Sequence, residues 1–538
     1  MVSRVTHSMI TGEVPVLIVG GSLVGLSTAL FLARQGVDVL TVERHPGTAI
    51  HPRAGHLHLR TLELMRSVGL QPLLERLSAE RYFPNGGVNE VRTLAEGEVA
   101  TYIADLNQGV AQFSPSRRMF IAQDALEPLL RQRAEGLGAI LRYNAEVVSL
   151  EQDDEGVTAT IVDGKTGAVD RMRSRYVVAA DGNRSQIRGQ CGIPMGGYGQ
   201  LSRSATIYFR ADCRQFLTGT ELGVIYVNNP VLRGFFRFER TGTSGFLVVN
   251  TLGDPTVPGN LDVTTGLTNE RAARIVRAAI GVPDFPVEID DVAEWVATAE
   301  VARSYRAGRI FLAGDAAHVV PPNGGFGGNT GIHDAHNLAW KLALVVQGVA
   351  GPALLDSYDA ERRPVGELTI DQAYARWLQR ATPELRPEGA PGLIDEFSME
   401  IGYRYHSGAI VPDPGSAGDG TLVEHPRKAL GQPGSRAPHV ELAPGRSTLD
   451  LFGASFVLLT GDSGGQWKEA AAVVARGGLP VTAPLAGLPA DDIAAAYGIG
   501  PAGASLVRPD GFIGWRSRGA VADPAAELSR ALTTLLAR

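Results

Sequence analysis

Near the start of the chain, an apolar strand, a glycine-rich turn, a helix and a second strand follow one another. Residues 14–19 are apolar, residues 20–25 contain three glycines, and apolar side chains then recur at helical spacing up to Gly36. A second apolar stretch, residues 37–42, ends in Glu43. This β-α-β order favours a parallel, doubly wound sheet, because a right-handed crossover returns the chain beside its first strand. With 538 residues the chain is long enough for several domains around that sheet.

The turn itself matches a dinucleotide-binding pattern. It reads Gly-Gly-Ser-Leu-Val-Gly, so Ser22 stands where GxGxxG has its middle glycine. Gly20 permits the tight turn, Gly25 permits close packing of the helix, and free N–H groups at the helix start point at a pyrophosphate. Glu43 is placed to bind a ribose diol. The alternative is a bare strand-to-helix turn. The predicted contacts are Gly20, Ser22, Leu23, Val24, Gly25, Glu43 and Arg44.

A second hexapeptide, residues 498–503, satisfies GxGxxG literally. It follows a helical segment and precedes a strand, so no crossover helix begins there. No acidic residue ends a following strand of a β-α-β unit either. We interpret this segment as a loop.

Two later segments, residues 176–182 and 310–315, each consist of an apolar strand followed by a Gly/Asp pair. Ligands of doubly wound sheets gather at the carboxyl ends of strands, so both pairs are candidate contacts. Alternating stretches in residues 190–300 predict antiparallel strands, and hence a second domain inserted into the first. Residues 330–347 predict a long amphipathic helix, and residues 386–445 resemble a linker rich in Pro and Gly.

Composition excludes several classes of partner. The 50 basic and 57 acidic residues are mixed along the chain, so there is no basic stripe for nucleic acid or anionic lipid. Cys191 and Cys213 lack CxxC or metal-ligand spacing, which favours reduced thiols in a cytoplasmic protein. Glycines interrupt the apolar residues 14–33, so we expect no membrane span. His333 and His336 lie three apart on a helix but lack a third ligand, so we expect no metal.

Three motifs in this order resemble a known family. They are the turn at residues 20–25, the segment 181–188 (Asp-Gly-Asn-Arg-Ser-Gln-Ile-Arg) and the segment 314–331, which begins Gly-Asp-Ala-Ala-His. Together they are similar to the motifs of the single-component FAD-dependent aromatic hydroxylases, the para-hydroxybenzoate hydroxylase family. The resemblance covers residues 14 to about 365.

Residues 225–230 and 504–511 narrow the resemblance to the branch that hydroxylates aromatic polyketides, including the anthracycline hydroxylases. The resemblance implies an α/β fold: a Rossmann-like FAD-binding domain, an inserted antiparallel-sheet substrate domain and a C-terminal thioredoxin-like domain. Without CxxC, that last domain cannot do dithiol chemistry. The expected boundaries are 1–189 and 301–385 for the FAD-binding domain, 190–300 for the middle domain, 386–445 for the linker and 446–538 for the C-terminal domain.

The resemblance also implies roles for individual residues. Glu43 would hold the adenosine ribose, Arg53 and Gln123 would flank the phosphate and ribityl region, Val147 would offer its backbone to the adenine, and Asp315 would bind the ribityl hydroxyls. Backbone N–H groups of residues 324–328 and a helix start at residues 329–331 would stabilise the negative charge of reduced flavin. Segment 181–188 would serve FAD and transient NADPH or NADH, the alternative being a capped turn. The further implied contacts are Asp181, Gly182, Pro322, Gly325, Gly327, Gly328 and Asn329, with Gly328 standing where the family often has methionine.

The implied reaction uses NAD(P)H, FAD and O2, and transfers oxygen from a flavin C4a-hydroperoxide to a phenol in antibiotic-type metabolism. Tyr226 and Arg380 are the predicted catalytic and substrate-binding residues, since a guanidinium favours phenolate and a tyrosine hydroxyl relays a proton. The alternatives are a core aromatic for Tyr226 and a surface ion pair for Arg380. Phe236, Phe238 and Pro321 are predicted to contact substrate, and the alternative for the two phenylalanines is packing within the sheet.

Two other functions fit the same residues. One is a monooxygenase that cleaves or rearranges a ring by Baeyer–Villiger chemistry. The other is a non-catalytic flavin-binding partner, suggested by the departures at Ser22 and Gly328. Whichever function holds, a monomer or homodimer is expected.

Overall fold

The computed structural model describes residues 12–50, 55–217, 222–251, 263–380, 386–415, 420–484 and 488–538. The strands are β1 (Glu13–Val19), β2 (Val39–Glu43), β3 (His56–Leu57), β4 (Gly87–Val91), β5 (Glu98–Ile103), β6 (Met119–Phe120), β7 (Ile140–Tyr143), β8 (Ala145–Gln152), β9 (Val157–Asp163), β10 (Val169–Ala179), β11 (Met195–Arg210), β12 (Leu222–Asn228), β13 (Arg233–Phe238), β14 (Ser244–Asn250), β15 (Glu288–Ala302), β16 (Arg306–Ala307), β17 (Ile310–Leu312), β18 (His318–Val319), β19 (Glu441–Ala443), β20 (Arg446–Ser447), β21 (Phe456–Thr460), β22 (Val481–Thr482), β23 (Ala504–Val507) and β24 (Ile513–Ser517). The helices are α1 (Leu23–Arg34), α2 (Leu59–Ser67), α3 (Gln71–Arg81), α4 (Gln123–Gly136), α5 (Gln186–Gln190), α6 (Asn269–Ile280), α7 (Phe326–Val346), α8 (Asp356–Arg380), α9 (Glu396–Ile401), α10 (Pro426–Ala429), α11 (Gly465–Arg476), α12 (Ala490–Tyr497) and α13 (Pro524–Leu535).

The first sheet is the predicted doubly wound sheet. Its main path runs β16-β17-β10-β1-β2-β7, and β1 pairs in parallel with both β2 and β10. Strands β1 and β2 are buried almost throughout, because helices α1, α4 and α7 cover the sheet. In register, Val19 lies beside Ala179, and Ala179 lies beside Leu312. The carboxyl ends of β1, β10 and β17 therefore meet at one edge, as the sequence predicts.

The second sheet has eight strands in the order β18-β15-β11-β14-β13-β12-β4-β5. The predicted stretches in residues 190–300 supply β11 to β15, and their mutual pairings are antiparallel. Strands β4 and β5 come from residues 87–103, so this sheet is wider than the middle segment alone. One face packs on α6 in a core that includes Ile207, Phe236, Leu247 and Val276.

The C-terminal segment forms a separate four-stranded sheet, ordered β22-β21-β23-β24, with α11 and α13 packed together beside it. This gives the thioredoxin-like third unit of the fold. The literal GxGxxG at residues 498–503 is a loop between α12 and β23, as predicted. Arg508 joins this unit to the first, because its guanidinium donates to both carboxylate oxygens of Glu361 on α8, at 2.6 and 2.9 Å.

Among the residues that the structure describes, no helix is long and apolar enough to cross a membrane.

Candidate active site

A large cavity, of about 1710 Å³, lies between the carboxyl edge of the first sheet and one face of the second. Pockets for one small ligand are usually ~300–1,000 Å³. This cavity therefore has room for a dinucleotide and a second molecule together.

The glycine turn leaves no space for side chains at two positions. Gly20 has φ of +104°, and a Cβ there would lie 2.2 Å from the carbonyl oxygen of Ala180. A Cβ on Gly25 would lie 1.8 Å from the carbonyl oxygen of Gly20. Ser22 is the N-cap residue of α1, yet its side chain makes no capping hydrogen bond. The first N–H groups of α1 thus remain open to the cavity, as a pyrophosphate requires.

Carboxylates hold the turn from two sides. Glu43 accepts a hydrogen bond from the backbone N–H of Gly21 at 2.6 Å. Ser22 donates from Oγ to Glu127, which also accepts from Nε2 of Gln123 at 2.6 Å. Glu127 lies four residues after Gln123 on α4 and borders the cavity, and it is absent from the predicted contacts. That i, i+4 spacing from Gln123 is the signal that would have found it.

The two Gly/Asp pairs meet at the cavity, and each aspartate has a different environment. Asp181 accepts from Oγ of Ser185 at 2.6 Å and from the backbone N–H of Ile187 at 3.2 Å, which is the capped turn foreseen as the alternative. It also borders the cavity, so the two interpretations are compatible. The Asp315 side chain is open to the cavity while being ringed by protein atoms, and this desolvation raises its pKa.

The loop before α7 is fixed by one amide side chain. Helix α7 begins at Phe326, whereas the helix is predicted over residues 330–347 with its start at residues 329–331. Asn329, in its first turn, donates from Nδ2 to the carbonyl oxygens of Gly325 at 2.7 Å and His56 at 2.8 Å. Its Oδ1 accepts from the backbone N–H of His58 at 2.9 Å. The Asn329 side chain therefore stabilises the loop, and the residue does not border the cavity.

A buried carboxylate ties α7 to the strand end that carries Asp315. Asp334 accepts from Nε2 of His318 at 2.7 Å, from Nε of Arg362 at 2.7 Å and from the backbone N–H of Gly314 at 3.1 Å. All three side chains are fully buried. Burial alone would raise the pKa of Asp334, but Arg362 and His318 hold it below its usual value. The turn at Gly314 is thus fixed relative to α7.

Tyr226 and Arg380 lie together on the other side of the cavity. The Arg380 guanidinium lies 5.5 Å from the centre of the Tyr226 ring, and Asn323 approaches the Tyr226 hydroxyl at 3.5 Å. Arg380 is buried and forms no ion pair with another described residue, so the surface-ion-pair alternative is wrong. Tyr226 packs in a small aromatic cluster and also borders the cavity.

Phe236 and Phe238 do not border the cavity, contrary to prediction. Both pack in the core of the second sheet, each with its ring centre 5.8 Å from that of Phe209. Side chains alternate along a strand, so Phe235 and Arg237 face the cavity instead. Neither residue is among the predicted contacts.

The structure brings most of the predicted residues to this one cavity. Gly25 lies beneath the turn, and Arg53 lies outside the described residues. His333 bonds to Thr61 and His336 packs against Phe31, and no group of three metal-ligating side chains occurs among the described residues. The predicted residues that border the cavity are Gly20, Ser22, Leu23, Val24, Glu43, Arg44, Gln123, Val147, Asp181, Gly182, Tyr226, Asp315, Pro321, Pro322, Gly325, Gly327, Gly328 and Arg380.

Comparison with known proteins identifies the family. Residues 13–373 match the FAD binding domain family, and residues 431–538 match the C-terminal domain of aromatic-ring hydroxylases. The chain belongs to the FAD-dependent aromatic-ring hydroxylases. The resemblance inferred from its motifs is confirmed, and the hydroxylase is a flavoprotein monooxygenase whose glycine turn, open helix start and Glu43 fit an FAD.

Three relatives match the hydroxylase over nearly its full length. A 4-methyl-5-nitrocatechol 5-monooxygenase from Burkholderia sp is 62% identical, and the match covers 98% of each chain. A tetracenomycin B2 monooxygenase-dioxygenase from Streptomyces olivaceus is 42% identical over 98% of this chain and 99% of its own. The solved structure of aklavinone-11 hydroxylase with FAD and aklavinone has a TM-score of 0.91 and 36% identity, covering 98% of this chain and 100% of its own.

Proposed function

We propose that this hydroxylase inserts one oxygen atom from O2 into the ring of a nitro-substituted catechol, with NAD(P)H as reductant. The observation that carries the proposal is the cavity, which joins the FAD-binding turn to a wall containing Tyr226 and Arg380. The 62% identity to the nitrocatechol monooxygenase supports a small phenolic substrate. When bound, FAD supplies the activation of O2 that no amino-acid side chain provides.

The residues on the substrate side prepare the ring for oxygen transfer. An electron-rich ring carbon attacks more readily when the phenol is deprotonated, and the Arg380 guanidinium stabilises that phenolate. The Tyr226 hydroxyl, beside Arg380, relays the phenol proton, because it takes up that proton as it releases its own. Phe235, Phe246 and Val248 face the same space and exclude water, which strengthens these electrostatic interactions.

The name of the relative places its oxygen insertion at the ring position that carries the nitro group. For this chain the corresponding reaction balances with one O2 and one NAD(P)H. One oxygen atom bonds to the ring carbon and the nitro group leaves as nitrite. The second oxygen atom becomes water, and the ring becomes a hydroxyquinone. NAD(P)H supplies the two electrons.

A second candidate substrate is a polycyclic aromatic polyketide of the antibiotic type. The volume of the cavity and the aklavinone-bound relative favour it. On such a ring, the oxygen replaces hydrogen without nitrite release, or enters a carbon–carbon bond in the Baeyer–Villiger alternative. Product NMR distinguishes these two outcomes, because a lactone excludes simple hydroxylation.

The test uses the purified, FAD-loaded protein with 4-methyl-5-nitrocatechol, 4-methylcatechol and aklavinone. Oxidation of NADH and NADPH, release of nitrite and release of H2O2 are measured for each compound. We expect nitrocatechol to stimulate NAD(P)H oxidation and to yield one nitrite per NAD(P)H. Stimulation without nitrite, or by aklavinone alone, would overturn the nitrocatechol proposal.

A further inference from the structure

Arg237 is a buried cation with no described counterion in the cavity. It lies on β13, has 6% of its surface exposed, and forms no salt bridge with any described residue. Its Nε and Nη2 atoms are both buried without a hydrogen-bond partner among the described residues. Arg118, which also borders the cavity, is by contrast paired with Glu400 at 2.8 Å.

Aromatic rings hold the Arg237 guanidinium in place. Its central carbon lies 4.3 Å from the centre of the Tyr82 ring and 4.4 Å from that of the Phe120 ring. Gly55 makes room for it, since a Cβ there would lie 1.9 Å from Nη1. Burial lowers the pKa of Arg237 to about 10, so the group stays positively charged at neutral pH. The rings fix the plane of the guanidinium but accept no strong hydrogen bond from its N–H groups.

Leaving these buried N–H groups unpaired costs free energy, since they have lost their hydrogen bonds to water, and buried polar groups are therefore nearly always hydrogen-bonded. The two free atoms share one edge of the guanidinium, where their N–H bonds are parallel. That edge matches a planar group with two oxygen atoms, such as nitro or carboxylate. That edge is closed to water in this structure, although the residue borders the cavity. A ligand group satisfies both donors once the guanidinium turns this edge toward the cavity.

We propose that Arg237 binds the planar two-oxygen substituent of the substrate ring, which is the nitro group if the proposed function is correct. The inference rests on that function only for the choice of nitro over carboxylate. His56 is the second element of this site, since it borders the cavity, packs against Phe120 and has an unpartnered Nε2. Arg237 is then a specificity-determining residue, whereas Tyr226 and Arg380 act on the phenol.

The experiment measures binding by the change in flavin absorbance for three ligands: 4-methyl-5-nitrocatechol, the same ring with carboxylate in place of nitro, and 4-methylcatechol. Arg237→Gln should raise the Kd of the first two about 10- to 150-fold, as for loss of a charged hydrogen-bond pair, and leave that of 4-methylcatechol within about threefold. Arg237→Lys keeps the charge without the paired edge, so it should restore only part of the affinity. Arg240→Gln is the matched control, because Arg240 is exposed, lies over the Phe83 ring and does not border the cavity.

The other outcomes are distinct. If Arg237→Gln weakens the binding of all three ligands equally, or weakens the binding of none, the inference is overturned. Loss of FAD affinity in Arg237→Gln with unchanged ligand binding also overturns it, because Arg237 would then serve the flavin. If the wild type converts no nitrocatechol, the proposed function fails. The inference survives that failure only if Arg237→Gln selectively weakens binding of the ring that carries carboxylate in place of nitro.

Discussion

Replacing Gly25 by alanine tests whether the glycine turn is built to bring backbone N–H groups to a pyrophosphate. Alanine favours helices more than glycine does, so at an ordinary helical position this change stabilises the protein. At Gly25 the added Cβ would lie 1.8 Å from the carbonyl oxygen of Gly20. That is roughly 1.5 Å short of the ~3.3 Å at which carbon and oxygen normally touch. Helix α1 must therefore move away from the turn.

The size of that displacement determines the expected loss of FAD affinity. The hydrogen bond from the Leu26 N–H to the Ser22 carbonyl, now 2.8 Å, closes the first turn of α1 and moves with it. Misplacing binding groups by about 1 Å costs on the order of 100-fold in related contexts. We therefore expect the FAD Kd of Gly25→Ala to rise about 100-fold, or ~2.7 kcal/mol. Titration of apoprotein with FAD, followed by flavin fluorescence, measures it.

Gly136→Ala is the matched control. Gly136 ends α4, is exposed, and has nothing within 4 Å of an added Cβ. We expect unchanged FAD affinity and a gain in stability of up to about 1 kcal/mol. An FAD Kd for Gly25→Ala within threefold of wild type would refute the reasoning, because the clash would then be relieved without moving the N–H groups.

Three further changes test other parts of the site. Tyr226→Phe should keep FAD and substrate affinity but slow product formation about 100-fold, as measured by product yield per unit time under saturating substrate; an unchanged rate removes Tyr226 from proton transfer. Arg237→Met should leave the melting temperature unchanged or higher, since an unpaired buried charge is exchanged for an apolar side chain; a clear fall in thermal unfolding experiments contradicts this. Asp334→Asn should lower the FAD release temperature at neutral pH, because Arg362 loses its buried counter-charge. The folded pKa of Asp334 is lowered, so the ionised carboxylate stabilises the folded protein fully above the unfolded pKa near ~3.9. That stabilisation is lost as the pH falls through the folded pKa. The difference in FAD release temperature between Asp334→Asn and wild type should therefore shrink in acid.

The FAD side of the cavity could be predicted because it is built largely from backbone. Gly20 and Gly25 are required by close approach of main-chain atoms, and such requirements leave a fixed spacing in the sequence. The parallel register of β1 and β10 then follows from apolar runs of the right length. Glu43 stands at a strand end, where position along the chain determines position in the fold.

The substrate side depends on long-range register, which local sequence does not determine. In the segment Phe235–Phe236–Arg237–Phe238, one alternating face holds two phenylalanines and the other a phenylalanine and an arginine. The pattern favours the first face for the core, but it does not show what the second face meets. Pairing of β13 with β12 and β14 decides it and turns Phe235 and Arg237 to the cavity. The arrival of β4 and β5 at the edge of the same sheet is also non-local.

Substitutions on the two sides of the cavity are expected to have different effects. On the FAD side, a substitution that adds a side chain displaces main-chain atoms, so it affects cofactor binding and folding together. On the substrate side, Tyr226, Arg237 and Arg380 come from three separate elements, and their polar atoms carry little of the packing. Exchanging one of them alters which ring substituents are recognised while the backbone around the flavin stays in place. Substrate preference in this hydroxylase is therefore expected to change through single side chains facing the cavity, independently of its cofactor.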